Sequence, residues 1–186
     1  LEQQRWSFFK PTDLERSFGY KNNPIELKTS AELPVFLTGR IDRIDASDNN
    51  IFITDYKSGE GPGNGSFANN EDLQMAFYML AAEKLYPKKT VLGGGYLSLK
   101  TRSRKGGIAW SATGNSEISV PKDNLFESWD EVKAAAEKMI LQQVEPLYAG
   151  NFALAPEKGA CDYCELRDIC RQRVLAKNVE EVEQHG

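Results

Sequence analysis

The sequence GRIDRID at Gly39–Asp45, followed closely by ITDYKSG at Ile53–Gly59, decides how this chain folds. Both motifs lie in segments where apolar and polar residues alternate and β-branched side chains are frequent, which is the pattern of half-buried strands. Between them, Asp48-Asn49-Asn50 has residue types that tolerate the left-handed conformations of a tight turn. We therefore predict a β-hairpin formed by Val35–Asp45 and Ile51–Lys57.

Two carboxylates and one ammonium are predicted to share a face of this hairpin. Residues two apart on a strand point to the same side, so Asp55 and Lys57 project together while Tyr56 points away. Pairing of the two strands brings Asp42 close to both. Oxygen ligands of this kind suit Mg²⁺ or Mn²⁺, and such a cation permits phosphodiester hydrolysis because it activates water and polarises phosphate. Lys57 would orient the water or help to deprotonate it.

An Asp-x-Lys pair on its own is more typical of a structural salt bridge on a surface hairpin, so the spacing leaves that alternative open. Asp45 lies three residues from Asp42 and should face the opposite side of the sheet. We expect a structural role for Asp45, in a pair with Arg43 or Arg40.

The rest of the chain predicts an α/β fold, with mixed α+β character, in one domain over residues 1–186. Glycines and a proline make 58–70 a loop. We expect helices at Asn70–Leu85, with Asn69 or Asn70 as its N-cap, and at Asp123–Tyr148, capped by Asp123. The remaining predicted strands are Pro24–Thr29, Val91–Leu99, Gly107–Trp110 and Glu117–Val120.

Composition limits the class of protein. The 186 residues include 40% hydrophobic and 27% charged residues, and no apolar run approaches the roughly 20 residues of a membrane span. We expect a soluble cytoplasmic protein without a membrane partner, and the initial Leu1 suggests a fragment of a longer chain. The net charge of −4 argues against nucleic-acid binding by bulk electrostatics but is compatible with an acidic metal centre that attracts phosphate through its cations.

Three stretches together, Gly39–Asp45, Ile53–Gly59 and Gln74–Tyr78, resemble the successive motifs of RecB-type nucleases in the PD-(D/E)XK superfamily. The likeness is greatest to the C-terminal nuclease domain of AddB-like ATP-dependent helicase/nuclease subunits. It implies a restriction-endonuclease-like central mixed sheet flanked by helices, with a C-terminal cysteine-containing segment.

The resemblance also implies roles for individual residues. Asp42, Asp55 and the main-chain carbonyl of Tyr56 would bind Mg²⁺ or Mn²⁺, and Lys57 would be the catalytic lysine. Gln74 and Tyr78 match the Q-x3-Y motif of the family and, being four apart on a helix, can both reach toward the scissile strand; packing between helix and core is the alternative. Glu15 resembles an upstream position in the AddB branch whose role is left open.

The spacing Cys161-x2-Cys164-x5-Cys170 indicates a metal or cluster site rather than disulfides in a cytoplasmic chain. Three thiolates are one short of a closed site, and His185 lies in a charged tail that reads as a disordered terminus. The resemblance implies a 4Fe-4S cluster held by segment 156–175, with a fourth cysteine upstream of this fragment.

Added to these features, the resemblance implies a Mg²⁺-dependent deoxyribonuclease domain of exonuclease type, weak or inactive as an isolated fragment. It would act with DNA and a helicase subunit of the same complex in processing double-strand breaks for recombination repair. The alternatives are a non-catalytic DNA-binding or scaffolding module with a nuclease fold, and a stand-alone Cas4-like exonuclease. The basic run of Lys100, Arg102, Arg104 and Lys105 is either a solvated strand connection or a phosphate contact.

Overall fold

The computed structural model describes residues 9–19, 25–63, 66–67, 72–110, 125–152, 161, 164–166 and 169–170. The chain divides into two compact units, residues 1–145 and residues 146–186. The first unit contains all of the described strands. No helix in the described part of the chain combines the length and apolar character that crossing a bilayer would require.

The elements are β1 (Lys10–Phe18), β2 (Ile25–Lys28), β3 (Pro34–Leu37), β4 (Gly39–Ala46), β5 (Asn50–Lys57), α1 (Gln74–Leu85), β6 (Thr90–Ser98), β7 (Arg104–Trp110), β8 (Leu125–Phe126) and α2 (Trp129–Tyr148). The first unit is built on a six-stranded mixed sheet with strand order β1-β4-β5-β6-β7-β8, and β2 and β3 form a separate two-stranded sheet. Strands β5 and β6, and also β7 and β8, pair in parallel, whereas the other neighbours are antiparallel. This mixed α/β architecture confirms the predicted fold class.

The predicted hairpin is formed by β4 and β5, which pair antiparallel from Arg43↔Thr54 to Ala46↔Ile51. The predicted strand Val35–Asp45 is, however, divided at Thr38. The reason is a change of partner, because β3 pairs with β2 while β4 pairs with β1. The break is followed by Gly39, where a Cβ atom would lie only 2.7 Å from the Phe18 ring.

Helix α1 covers the middle of the sheet. Its Met75 and Met79 are fully buried together with Ile53 of β5, and Gly94 of β6 permits close approach because a Cβ there would collide with the Met75 sulfur. The helix begins at Gln74 rather than at residue 70, and Oδ1 of Asp72 accepts the Gln74 backbone N–H at 3.0 Å. The predicted caps Asn69 and Asn70 lie outside the described residues.

Helix α2 begins at Trp129, six residues later than predicted, since Leu125 and Phe126 pair with β7 as the short strand β8. Ser128 caps the helix: its Oγ accepts the Glu131 backbone N–H at 3.2 Å, and the Glu131 carboxylate accepts the Glu127 backbone N–H at 2.9 Å. The predicted cap Asp123 lies outside the described residues.

Strand β1 has no counterpart among the predicted strands, and strand β7 is longer than predicted. β7 begins at Arg104, so the basic run Lys100–Lys105 is only partly a connection between strands. The predicted strand Glu117–Val120 lies outside the described residues. The predicted strands Pro24–Thr29 and Val91–Leu99 correspond to β2 and β6.

Candidate active site

Three of the predicted site residues meet at one end of the β4–β5 hairpin. The step after the pair Arg43↔Thr54 puts Asp42 opposite Asp55, on the face of the sheet that α1 covers. Asp55 is buried, and its Oδ2 lies 2.9 Å from Nζ of Lys57. Oδ2 of Asp42 accepts the backbone N–H of Tyr56 at 2.9 Å. Both carboxylates and the ammonium therefore lie around one point.

The Asp55 carboxylate has an unfavourable setting for its charge. Burial raises the pKa of Asp55, contact with Lys57 lowers it, and the negative charges of Asp42 and Asp72 raise it again. Among the described residues no donor is aligned as a hydrogen bond on the buried Oδ2, although the Lys57 ammonium is at ion-pair distance. A buried carboxylate oxygen without such a donor, beside other carboxylates, is a place where a cation would be stabilised.

The donor set fits a hard divalent cation. The Lys57 carbonyl accepts the backbone N–H of Leu99, on the β6 side, at 2.9 Å. Successive residues of a strand direct their N–H and carbonyl groups to alternate sides, so those of Tyr56 face β4. The Tyr56 N–H bond to Asp42 agrees with this direction. Asp42, Asp55 and the Tyr56 carbonyl could thus supply oxygen ligands from one side, with room for water and substrate on the other.

Lys57 is also held from α1 by a chain of side-chain hydrogen bonds. Its Nζ donates to Oε1 of Gln74 at 2.6 Å, and Nε2 of Gln74 donates to the Tyr78 hydroxyl at 2.9 Å. Tyr78 thereby fixes which end of the amide faces the ammonium. Burial raises the pKa of Tyr78, the bond from Gln74 lowers it, and the charges of Asp55, Asp42 and Glu15 raise it.

Two further residues, Asp72 and Tyr96, belong to this cluster but were not found from the sequence. Tyr96 is paired with Asp55 across β5 and β6, and its hydroxyl donates to Oδ2 of Asp72 at 2.5 Å. Burial, followed by the bond to Asp72, raises the pKa of Tyr96 well above its usual range. The Lys57 ammonium lies 5.2 Å from the centre of the Tyr96 ring. The available signal was the position of Asp72 just before the helix, two residues before Gln74.

Glu15 is the acidic residue that β1 contributes beside the site. It lies between the pairs Leu14↔Arg43 and Arg16↔Ile41, and therefore opposite Asp42. Its φ of 52° is in the left-handed region, which is strained for a glutamate. Its exposed carboxylate forms an ion pair with Arg40 at 3.2 Å.

The opposite face of the hairpin carries a second polar network. Arg43 contacts Oδ1 of Asp45 through Nε and Nη2, both at 2.7 Å, so the expected pairing of Asp45 is with Arg43 and not with Arg40. Oγ1 of Thr54 donates to Asp45 at 3.3 Å and accepts from Arg104 at 3.1 Å. Arg104 is thus hydrogen-bonded within the sheet.

The three cysteines belong to the second unit. Cys161 is half-buried, Cys164 and Cys170 are exposed, and none forms a disulfide. The Cys170 backbone N–H donates to the Leu166 carbonyl at 2.9 Å. Within the described ranges, no three side chains of His, Cys, Asp or Glu type form a group that could hold a metal ion. The cluster stays a prediction, and His185 lies outside the described residues.

Comparison with known proteins sets these features in a family context. The profile of the PD-(D/E)XK nuclease superfamily matches residues 1–171. Gene 69 protein of Mycobacterium phage L5 is 26% identical over 148 residues, which are 78% of this chain and 43% of that protein. A subunit of an ATP-dependent helicase/deoxyribonuclease from Clostridium novyi (strain NT) is 36% identical over 114 residues, 54% of this chain and 10% of that protein. The corresponding protein of Listeria innocua serovar 6a is 40% identical over 63 residues, 31% and 5% respectively. The chain thus spans less than half the length of these relatives.

Proposed function

Because this chain belongs to the PD-(D/E)XK nuclease superfamily, we propose that it hydrolyses phosphodiester bonds of DNA at a centre formed by Asp42, Asp55 and Lys57. The observation that carries the proposal is the buried Asp55 carboxylate, 2.9 Å from the Lys57 ammonium and opposite Asp42. Burying ionised groups together costs folding free energy, and such groups cluster at sites where a ligand or a reaction uses them. This cost also argues against the alternative of a non-catalytic scaffold.

Asp42, Asp55 and the Tyr56 carbonyl would hold the cation, Mg²⁺ or Mn²⁺. When bound, the cation would lower the pKa of a water molecule and neutralise charge that develops on the phosphoryl oxygens. Asp42 is oriented for this by the Tyr56 N–H. Asp55 is oriented by its place in the central strand β5 and by the ion pair with Lys57.

Lys57 would orient the attacking water, take part in its deprotonation and offset negative charge on the phosphate. Gln74 directs the ammonium because its amide oxygen accepts a hydrogen bond from Nζ at 2.6 Å. Tyr78 fixes the amide, and the Tyr96 ring stabilises the positive charge across its face. Together with Asp55, four side chains from three elements therefore act on one ammonium group.

The finer parts of the proposal rest on the motif resemblance together with the names of two relatives. Two of them are named as subunits of an ATP-dependent helicase/deoxyribonuclease. By analogy, we propose exonuclease action on DNA fed by a helicase subunit during double-strand break repair. Residues 1–186 would be one nuclease domain, and segment 156–175 would bind a 4Fe-4S cluster through Cys161, Cys164 and Cys170 together with a fourth ligand from elsewhere.

The test is degradation of linear DNA in Mg²⁺ by the full-length protein with its helicase partner. Asp55→Ala and Lys57→Ala should each lower the rate by about 10³-fold or more, because each removes a group that stabilises the transition state. Lys28→Ala is the matched control, since Lys28 forms an exposed surface pair with Glu32. Cleavage at the wild-type rate in both site variants would refute the assignment.

A further inference from the structure

The side chain of Tyr56 is anchored on the face of the sheet opposite to the candidate metal centre. Its hydroxyl accepts a hydrogen bond from Nη1 of Arg43 at 3.1 Å. Arg43 is fixed in turn by the buried Asp45, which it contacts at 2.7 Å. Burial lowers the pKa of Arg43, but the hydrogen bonds to Tyr56 and Asp45 outweigh it, and the pKa is raised overall.

The same residue bonds to the metal face through its backbone. The Tyr56 N–H donates to Oδ2 of Asp42 at 2.9 Å, while its hydroxyl is held by Arg43. Both partners are neighbours on β4. The backbone pairing of β4 with β5 ends at Arg43↔Thr54. Beyond this pair, two hydrogen bonds join Tyr56 to β4 among the described residues, one to Asp42 and one to Arg43.

We propose that Arg43 is a positioning residue for the cation centre, acting across the sheet through Tyr56 on Asp42 and on the Tyr56 carbonyl. This inference rests on the proposed function, because it assigns the Tyr56 peptide to the centre. Removing the hydroxyl or the guanidinium leaves Tyr56 with only its backbone bond to Asp42 on the β4 side, so its N–H and carbonyl are less firmly oriented toward the centre. The Asp42 carboxylate and the Tyr56 carbonyl then lose their common alignment, whereas Asp55 and Lys57 keep theirs through β6.

Asp45 and Thr54 support the anchor. Thr54 is fully buried and donates to the oxygen of Asp45 that Arg43 does not use. Thr54 also accepts from Arg104 of β7, whose guanidinium lies 5.7 Å from the centre of the Phe52 ring. The Arg43 guanidinium is therefore supported by side chains from two strands besides β4. A lysine at this position could not contact both Asp45 and Tyr56 in the same way.

The experiment measures Mn²⁺ binding to the full-length protein by calorimetry without DNA. Tyr56→Phe keeps the ring and removes only the hydroxyl, and Arg43→Met removes the donor. Each should weaken Mn²⁺ binding about 10-fold, as loss of an orienting partner does at metal sites. The double variant should be weakened by a similar factor rather than about 100-fold, because both changes delete the same bond. Arg43→Lys should not restore binding.

Two controls make the result decisive. Tyr86→Phe removes a hydroxyl that bonds to Asp13 and not to Arg43, and should bind Mn²⁺ like the wild type. In DNA degradation, Tyr56→Phe should raise the half-saturating Mg²⁺ concentration about 10-fold and change the saturated rate less than about 3-fold. A merely structural role would alter thermal unfolding without this split.

The outcomes separate the two proposals. Wild-type Mn²⁺ binding in Tyr56→Phe and Arg43→Met, or a double variant weakened about 100-fold, would overturn the anchor. Mn²⁺ binding that survives Asp55→Asn would instead overturn the cation centre itself.

Discussion

The hydrogen-bond chain from Tyr78 through Gln74 to Lys57 predicts a graded loss of activity when it is cut at different points. Gln74→Met removes the acceptor that lies 2.6 Å from the Lys57 ammonium. A hydrogen bond to a charged group contributes about 1.5–3 kcal/mol. If that bond positions the ammonium in the transition state, the rate constant for cleavage should fall about 10- to 150-fold.

Tyr78→Phe should have a smaller effect because it acts on Lys57 only through the amide. It removes a neutral 2.9 Å bond from Gln74, which is worth about 0.5–1.5 kcal/mol and corresponds to about a 2- to 12-fold loss. In the double variant the tyrosine has no amide left to orient. We therefore expect Tyr78→Phe to add less than about 2-fold when Gln74 is already Met.

The assay is single-turnover degradation of linear DNA by the complete enzyme at saturating Mg²⁺. Gln142→Met on the exposed side of α2 is the matched control and should leave the rate unchanged. An undiminished rate in Gln74→Met would refute the positioning of Lys57. A full, multiplicative effect of Tyr78→Phe in the Gln74→Met background would show that Tyr78 acts independently of the amide.

Three further predictions concern stability. Burial raises the pKa of Asp55 above its unfolded value, so ionisation costs stability as pH rises through the folded pKa; Asp55→Asn should raise the metal-free melting temperature at pH 7, with the advantage vanishing in acid. Tyr96→Phe removes a 2.5 Å bond to a carboxylate, about 2 kcal/mol, and should lower the melting temperature in calorimetry by about 4–8 °C. Gly94→Ala places a methyl group against the Met75 sulfur and should cost about 1–3 kcal/mol in urea unfolding. Gly63→Ala should change little, because no atom of the described residues lies within 4 Å of the added Cβ.

The sequence predicted those features that follow from strict periodicity. Alternation along a strand put Asp55 and Lys57 on one face and Asp45 on the other, and helical spacing put Gln74 and Tyr78 together. These relations depend on neighbours in sequence or on one tight turn, so tertiary packing does not change them.

Features that depend on distant contacts were missed or misplaced. β1 lacks an alternating pattern because nearly all of its residues are exposed at the edge of the sheet, including Leu14. Asp72 and Tyr96 come from different elements and meet only through the packing of α1 on β6. Arg104 has a residue type that favours solvent, and its bond to buried Thr54 keeps it within the sheet.

The pairing of β5 with its two neighbouring strands differs between the two sides of the candidate cation centre. The β6 side is held more firmly than the β4 side. Along β6 the parallel ladder extends as far as the lysine, from Asn50↔Thr90 to Lys57↔Ser98, whereas on the β4 side the ladder stops short of Asp42. Adaptation to cations of different radius should therefore come from the aspartate of β4, with the Asp55–Lys57 pair serving as the fixed reference. Discrimination between Mg²⁺ and larger ions would then be set by how far β4 can move relative to β5 at Asp42, where β4 is paired with β1 alone.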